Sequence, residues 1–299
     1  MNRRDAVKTL ASAAVATTVP WSLLAAQQPF RVGYAAITWG GNDRQAMADI
    51  EAVGFPGIQL RTAAVDAFGD RPAELKELLA RHHLTMVALS SGTLGIDSAL
   101  EAEELARHTR HARFVRHVGG LYLQIIDARP KRAITPADYG AMGRRLTELG
   151  KRTADIGIPL GYHHHMNSLG EAPDEIERIL AAVDPRYVKL ELDVAHYLQG
   201  GGDPVAAIKK YSSQLLFVHL KDVETRTPEP GQSPPRPYRF VELGRGRVDL
   251  PGVVRTLADV GFKGWVVVEL DAVPGRARSP KEAAELNRRY LTEQLRLTI

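Results

Sequence analysis

The chain has 299 residues, of which 44% are hydrophobic and 25% charged, and it contains no cysteine. These values suit one large folded core and exclude disulfide staples, thiolate nucleophiles and cysteine-based zinc sites, so imidazoles and carboxylates are the strong metal ligands left. The formal charge of +4 is scattered rather than gathered into a stripe, which argues against a nucleic-acid surface, and a mean hydropathy of −0.20 argues against a multispan membrane protein.

Residues 1–28 have the layout of an export signal. Arg3 and Arg4 give a basic start, an alanine- and valine-rich stretch runs from Ala6 to Ala16, and Pro20 precedes a small-residue end at Ala25-Ala26. The Arg3-Arg4 pair followed by Val7 and Lys8 resembles the twin-arginine type, which a receptor reads and which carries folded cargo. The expectation is therefore an exported, periplasmic protein whose mature domain spans 29–299, with no membrane association once the signal is removed.

From Arg31 onward, short apolar runs alternate with longer segments of helical period, the rhythm of βα units around a parallel sheet. Strands are expected at Val32–Thr38, Gly57–Arg61, Leu84–Ser90, Leu121–Ile126, Ile158–His163, Val188–Asp193, Leu215–His219 and Val266–Glu269. Helices are expected near Arg44–Val53, Ala73–Arg81, Ser98–His117, Pro136–Ile156, Asp174–Ala182, Pro204–Tyr211, Leu250–Val260 and Pro280–Leu295. Eight such units in about 270 residues predict an α/β fold of the (β/α)8 TIM barrel type, with functional groups at the C-terminal strand ends. A doubly wound sheet would carry a glycine-rich phosphate turn, and Trp39-Gly40-Gly41-Asn42-Asp43 lacks that spacing. Glu224–Pro237 holds five prolines and reads as an irregular, lid-like loop over the active face, or as a plain exposed insertion.

Four expected strand ends carry ligand-capable side chains: His163 and His165, Asp193 and His196, His219, and Glu269. Side chains alternate along a strand, so His163 and His165 share a face while His164 points away. Each residue alone has an ordinary structural explanation, such as a hydrogen-bonded core histidine or a capping carboxylate. Their joint placement on strands five to eight points to a divalent cation, manganese, cobalt or zinc, with coordination positions left for substrate oxygens.

The ordered segments Asp193-Val194-Ala195-His196, Gly200-Gly201-Gly202-Asp203-Pro204, Val218-His219-Leu220-Lys221-Asp222, Leu243 to Asp249 and Gly264 to Glu269 resemble the sugar isomerase and epimerase superfamily with a xylose-isomerase-like barrel. Ala36-Ile37-Thr38-Trp39 with Asn42-Asp43, and Gly161 to Met166, look more like its inosose dehydratase branch. The resemblance spans about residues 31–295. It implies a metal held by Asp193, His219 and Glu269, with a fourth ligand from strand five, His163 by preference and His165 otherwise. It further implies that His196 contacts substrate or metal-bound water, that Lys221 acts on a substrate oxygen or proton, and that His165 and Glu269 share in the chemistry. Trp39, Asn42 and Arg245 fall on the substrate side.

The expected reaction is isomerisation or dehydration of a keto-sugar or keto-cyclitol through an enediolate, with Glu269, His196 or Lys221 as base or acid. An exported, non-catalytic carbohydrate-binding barrel is the first alternative. An endonuclease IV-like repair enzyme is weaker, because the Asp-x-His pair expected before Gly244-Arg245-Gly246 is replaced by Pro237 to Glu242. A phosphosugar enzyme would use Arg245 and Arg247, but export favours unphosphorylated substrates. A homo-oligomer is left open.

Overall fold

The computed structural model describes residues 28–228 and 236–299. The expected leader, Gln28 apart, and the middle of the proline-rich loop lie outside the described residues. The strands are β1 (Arg31–Ala35), β2 (Gly57–Arg61), β3 (Thr85–Leu94), β4 (Tyr122–Asp127), β5 (Leu160–His163), β6 (Val188–Asp193), β7 (Leu215–Leu220), β8 (Asp222–Thr225), β9 (Tyr238–Val241) and β10 (Trp265–Val268). The α-helices are α1 (Asp43–Val53), α2 (Thr62–Phe68), α3 (Pro72–Arg81), α4 (Glu101–Val118), α5 (Pro136–Asp155), α6 (Pro173–Ala182), α7 (Val194–Gln199), α8 (Pro204–Tyr211), α9 (Leu250–Asp259) and α10 (Pro280–Arg289).

Strands β1 to β7 and β10 are parallel neighbours in chain order and close into an eight-stranded barrel, while β8 and β9 form a separate antiparallel hairpin. The fold is therefore the expected TIM barrel. Alternation explains how one strand serves two environments. Leu190 and Leu192 on β6, and Val218 and Leu220 on β7, join the apolar layer under the helices. Their neighbours Glu191, Asp193, Phe217 and His219 turn into the barrel. A smaller apolar cluster of Ala35, Val87, Ala88, Phe217, Trp265 and Val267 fills the barrel interior, with Tyr122 stacked on Phe217 at 5.6 Å. Gly57 is required there, since a Cβ would lie 2.4 Å from Trp265 Cζ3.

Several boundaries differ from expectation for local reasons. The first strand stops at Ala35, and Ala36–Trp39 form a 3-10 turn closed by Gly40 at a φ of 63°. The fifth begins at Leu160, because Pro159 has no N–H to give a ladder. The last helix ends at Arg289 and passes into a π turn at Tyr290–Gln294. Glu224–Pro237 was expected to be irregular throughout, yet Glu224 and Thr225 belong to β8 and pair with Arg239 and Tyr238 of β9. Asp222 anchors this corner by accepting the backbone N–H groups of Val223, Gly244, Gly246 and Val248 at 2.9–3.1 Å. Among the described residues, no helix is long and apolar enough to cross a membrane.

Candidate metal centre

Asp193 ends β6 and caps α7. Its Oδ1 accepts the N–H groups of Ala195 and His196, both at 2.8 Å, so only Oδ2 is left for another partner. That atom faces His219 Nδ1 at 3.6 Å. His219, at the inward end of β7, donates Nε2–H to Gln59 Oε1 at 2.7 Å, and Gln59 in turn donates to Gln124 across the barrel. The bond puts a ring proton on Nε2 and turns Nδ1 toward carboxylates. Glu191 Oε1 lies 3.0 Å from Nδ1, Glu269 Oε2 lies 3.2 Å away, and Glu191 Oε2 is also 3.3 Å from His163 Nδ1.

The arrangement is unsatisfied as it stands. His163 Nδ1, both oxygens of Glu191, Asp193 Oδ2 and His219 Nδ1 are all buried and make no hydrogen bond. Orphaned polar atoms in a core are costly, and a cation shared among these five would satisfy them. His163, Asp193 and His219 each offer a donor atom within 4.8 Å of the others, a spacing that fits one ion. Burial holds the His163 ring neutral, and burial likewise pushes Glu191 up to about 7 against the pull of His219. Burial also opposes charge on His219 and Glu269, but there the opposite charges win, raising the imidazole and lowering the carboxyl well away from their ordinary values.

Lys221 is fully buried beside this cluster. Its Nζ lies 2.8 Å from Glu269 Oε2 and 2.5 Å from Asp271 Oδ1, 3.3 Å from His196 Nε2, and 4.0 Å from the centre of the Phe240 ring on β9. Burial disfavours the ammonium, yet Asp271, Glu269 and Asp193 outweigh it and keep Lys221 charged. A second trio, His163, His165 and His196, also has metal spacing. The Lys221 ammonium beside His196 makes that trio a poor place for a further cation. Its nitrogens are instead set for protons. His165 Nδ1 donates to Met166 O at 2.7 Å, leaving a lone pair on Nε2 of a half-buried ring. His196 Nδ1 accepts the Met166 N–H at 3.2 Å, while its Nε2 faces the Lys221 ammonium at 3.3 Å.

His163, Asp193, His196, His219, Lys221, Glu269 and His165 therefore gather at one mouth. His164 turns away as alternation requires: its Nε2 accepts the Asp193 N–H at 3.3 Å and its ring meets Tyr197. The three residues expected on the substrate side have these local partners. The Trp39 indole N–H is taken by Asp49 Oδ2 at 2.7 Å, and the ring packs edge-on against Tyr34. Asn42 is exposed and caps α1. Arg245 is half-exposed, 3.8 Å from Glu242, and Arg247 bonds Gln199. Sequence reasoning missed Glu191, Gln59 and Gln124. Glu191 was open to discovery, since it stands two residues before Asp193 on the same strand face; the glutamines carried no such signal.

A closed parallel barrel that collects imidazoles and carboxylates at the C-terminal ends of its strands has the architecture of a barrel enzyme. The chain belongs to the xylose isomerase-like TIM barrel family, whose pattern it matches over residues 47–294. It is 31% identical over 260 residues to the rhizopine catabolism protein MocC of Rhizobium meliloti, covering 83% of this chain and 74% of that one. It is 25% identical over 294 residues to an inosose dehydratase of Bacillus velezensis, covering 88% and 96%. Among solved structures, the zinc-bound IOLI protein superposes with a TM-score of 0.75 at 18% identity, over 89% of this chain and 98% of that one.

Proposed function

We propose that the protein is a divalent-metal-dependent dehydratase or isomerase acting on a keto-cyclitol or keto-sugar. The observation that carries this reading is the convergence of His163, Asp193 and His219, whose facing donor atoms are buried without hydrogen bonds, with Glu269 Oε2 3.2 Å from His219 Nδ1 and held by Lys221. The inosose dehydratase relatives supply the substrate class and favour dehydration. A divalent cation held there would polarise a ketone and its neighbouring hydroxyl and stabilise the enediolate left when the α-proton departs.

The protein's own side chains divide the proton transfers. His165, with its lone pair on Nε2 and its ring toward solvent, takes the α-proton. The His196–Lys221 pair, Nε2 to Nζ at 3.3 Å, holds the proton for the departing β-oxygen. Lys221 stays charged, holds Glu269 in place and offers positive potential to developing negative charge. Phe240 covers it from the β8–β9 hairpin and keeps water from that side. The Arg3-Arg4 leader supports export of the folded chain, and hence unphosphorylated substrates.

The test is metal analysis of the purified protein, followed by incubation with 2-keto-inositol and with 3-keto-glycosides in deuterated water. Bound metal with deuterium entering the α-carbon, or loss of water from the substrate, is the expected result. Sugar binding with neither metal nor exchange would replace this reading by a non-catalytic carbohydrate-binding barrel.

A further inference from the structure

Glu191 has no role in the reaction as drawn above, yet it is the least explained group in the barrel. It is wholly buried, and neither carboxylate oxygen accepts a hydrogen bond. Its Cα register partner across the sheet is His163, and its two oxygens reach to the two imidazoles of the cluster, 3.3 Å to His163 Nδ1 and 3.0 Å to His219 Nδ1. A structural counter-ion would need a proton on His219 Nδ1. One proton there can bond one oxygen, while Glu191, Asp193 and Glu269 all present an oxygen within 3.0–3.6 Å. Donor atoms bound to one ion at about 2.1 Å stand roughly 3.0 to 3.4 Å apart, depending on whether the angle is octahedral or tetrahedral. The spacings around His219 Nδ1 and His163 Nδ1 are close to that range.

We propose that Glu191 is itself a ligand of the divalent cation, joining its His163 and His219 sides, so that the centre has two imidazoles and three carboxylates. The proposal rests on the metal-dependent reading above. Charge supports it: the carboxylates of Glu191, Asp193 and Glu269 balance a divalent ion together with the buried Lys221 ammonium, while Asp271 stands partly in solvent. The donor set also has a chemical consequence. An oxygen-rich site with more than four protein donors suits manganese or cobalt in five- or six-coordination better than zinc, which prefers four ligands.

The experiment compares the full chain with Glu191→Gln, which keeps shape and removes charge. Metal is stripped, and binding of Mn2+ and of Zn2+ is measured by calorimetry, with thermal unfolding of the metal-free proteins alongside. The proposal expects Mn2+ affinity to fall by about 100-fold or more, with Zn2+ affected less. Equal Mn2+ affinity with a lower metal-free melting temperature would show Glu191 to be a structural counter-ion and overturn the proposal. A second measurement needs no variant. Visible absorption of the Co2+-loaded parent should show the weak bands of a five- or six-coordinate ion, and the intense bands of a tetrahedral ion would also overturn it. A parent that binds no metal would remove the functional reading as well, whereas a parent that binds metal beside an equally competent Glu191→Gln variant removes this inference alone.

Discussion

His219 on β7 and Gln59 on β2 meet inside the barrel, Nε2 to Oε1 at 2.7 Å, and this bond decides which imidazole nitrogen is offered to the carboxylates. Gln59→Leu should release the ring and lower metal affinity by about 10–100-fold. It should also lower stability by about 1–3 kcal/mol, because the Gln124 oxygen loses its donor in a buried place. Calorimetric metal titration and urea unfolding check the two effects separately. Unchanged metal affinity would mean that the ring is oriented without Gln59.

Lys221→Met removes the ammonium lying between Glu269 and Asp271. Breaking a buried ion pair from one side costs about 3–5 kcal/mol, so the metal-free variant should melt well below the parent. Turnover should fall by about 100-fold or more. Added divalent cation should recover part of the lost melting temperature, since it returns positive charge to Glu269. Thermal scans with and without Mn2+ read this directly.

His165→Asn and His163→Asn separate proton transfer from metal binding. The first should retain metal content near the parent's while turnover drops by about 10²–10⁴-fold, as expected for loss of a general base. The second should lose both. Metal analysis beside steady-state rates distinguishes them, and a His165→Asn protein that has lost its metal would make His165 the strand-five ligand.

Asp127 sets a pH dependence away from the centre. Its Oδ2 accepts the Gly170 N–H at 2.6 Å, but burial dominates and raises the carboxyl to about 6. The folded state therefore binds this proton more tightly than the unfolded state, so stability falls as pH rises from about 4 to about 6, by an order of 3 kcal/mol, and stays reduced above that. Burial raises Asp43 to about 6 as well, adding a slope of the same sign. Asp127→Asn, which keeps an acceptor for Gly170, should flatten part of that slope and raise stability at pH 8. Urea unfolding at pH 4, 6 and 8 measures it, and an unaltered slope would place its origin elsewhere.

Much of the barrel was legible because its strands and helices obey simple periods. Gly57–Arg61 and Val188–Asp193 stand out as short β-rich runs, and Pro204–Tyr211 starts with a capping Asp203 and a proline. The elements missed are those too short to show a period: the seven residues of α2, the six of α7, and β8 and β9 at four residues each, flanking a proline-rich stretch. The gathering of Asp193, His219 and Glu269 was legible because chemistry and strand ends coincide there. Glu191 was passed over because it lies inside a strand rather than at its end. Trp39 and Asn42, expected on the substrate side, also answer local demands, an indole N–H to satisfy and a helix to cap.

Trp265, Phe217 and their neighbours plug the barrel at the end opposite the histidines. Among the described residues the barrel is thus closed on that side, so a molecule reaching the proposed centre would come and go from the histidine side. Product and substrate would then exclude each other, and saturating product should slow turnover by simple competition rather than by a drop in the maximal rate.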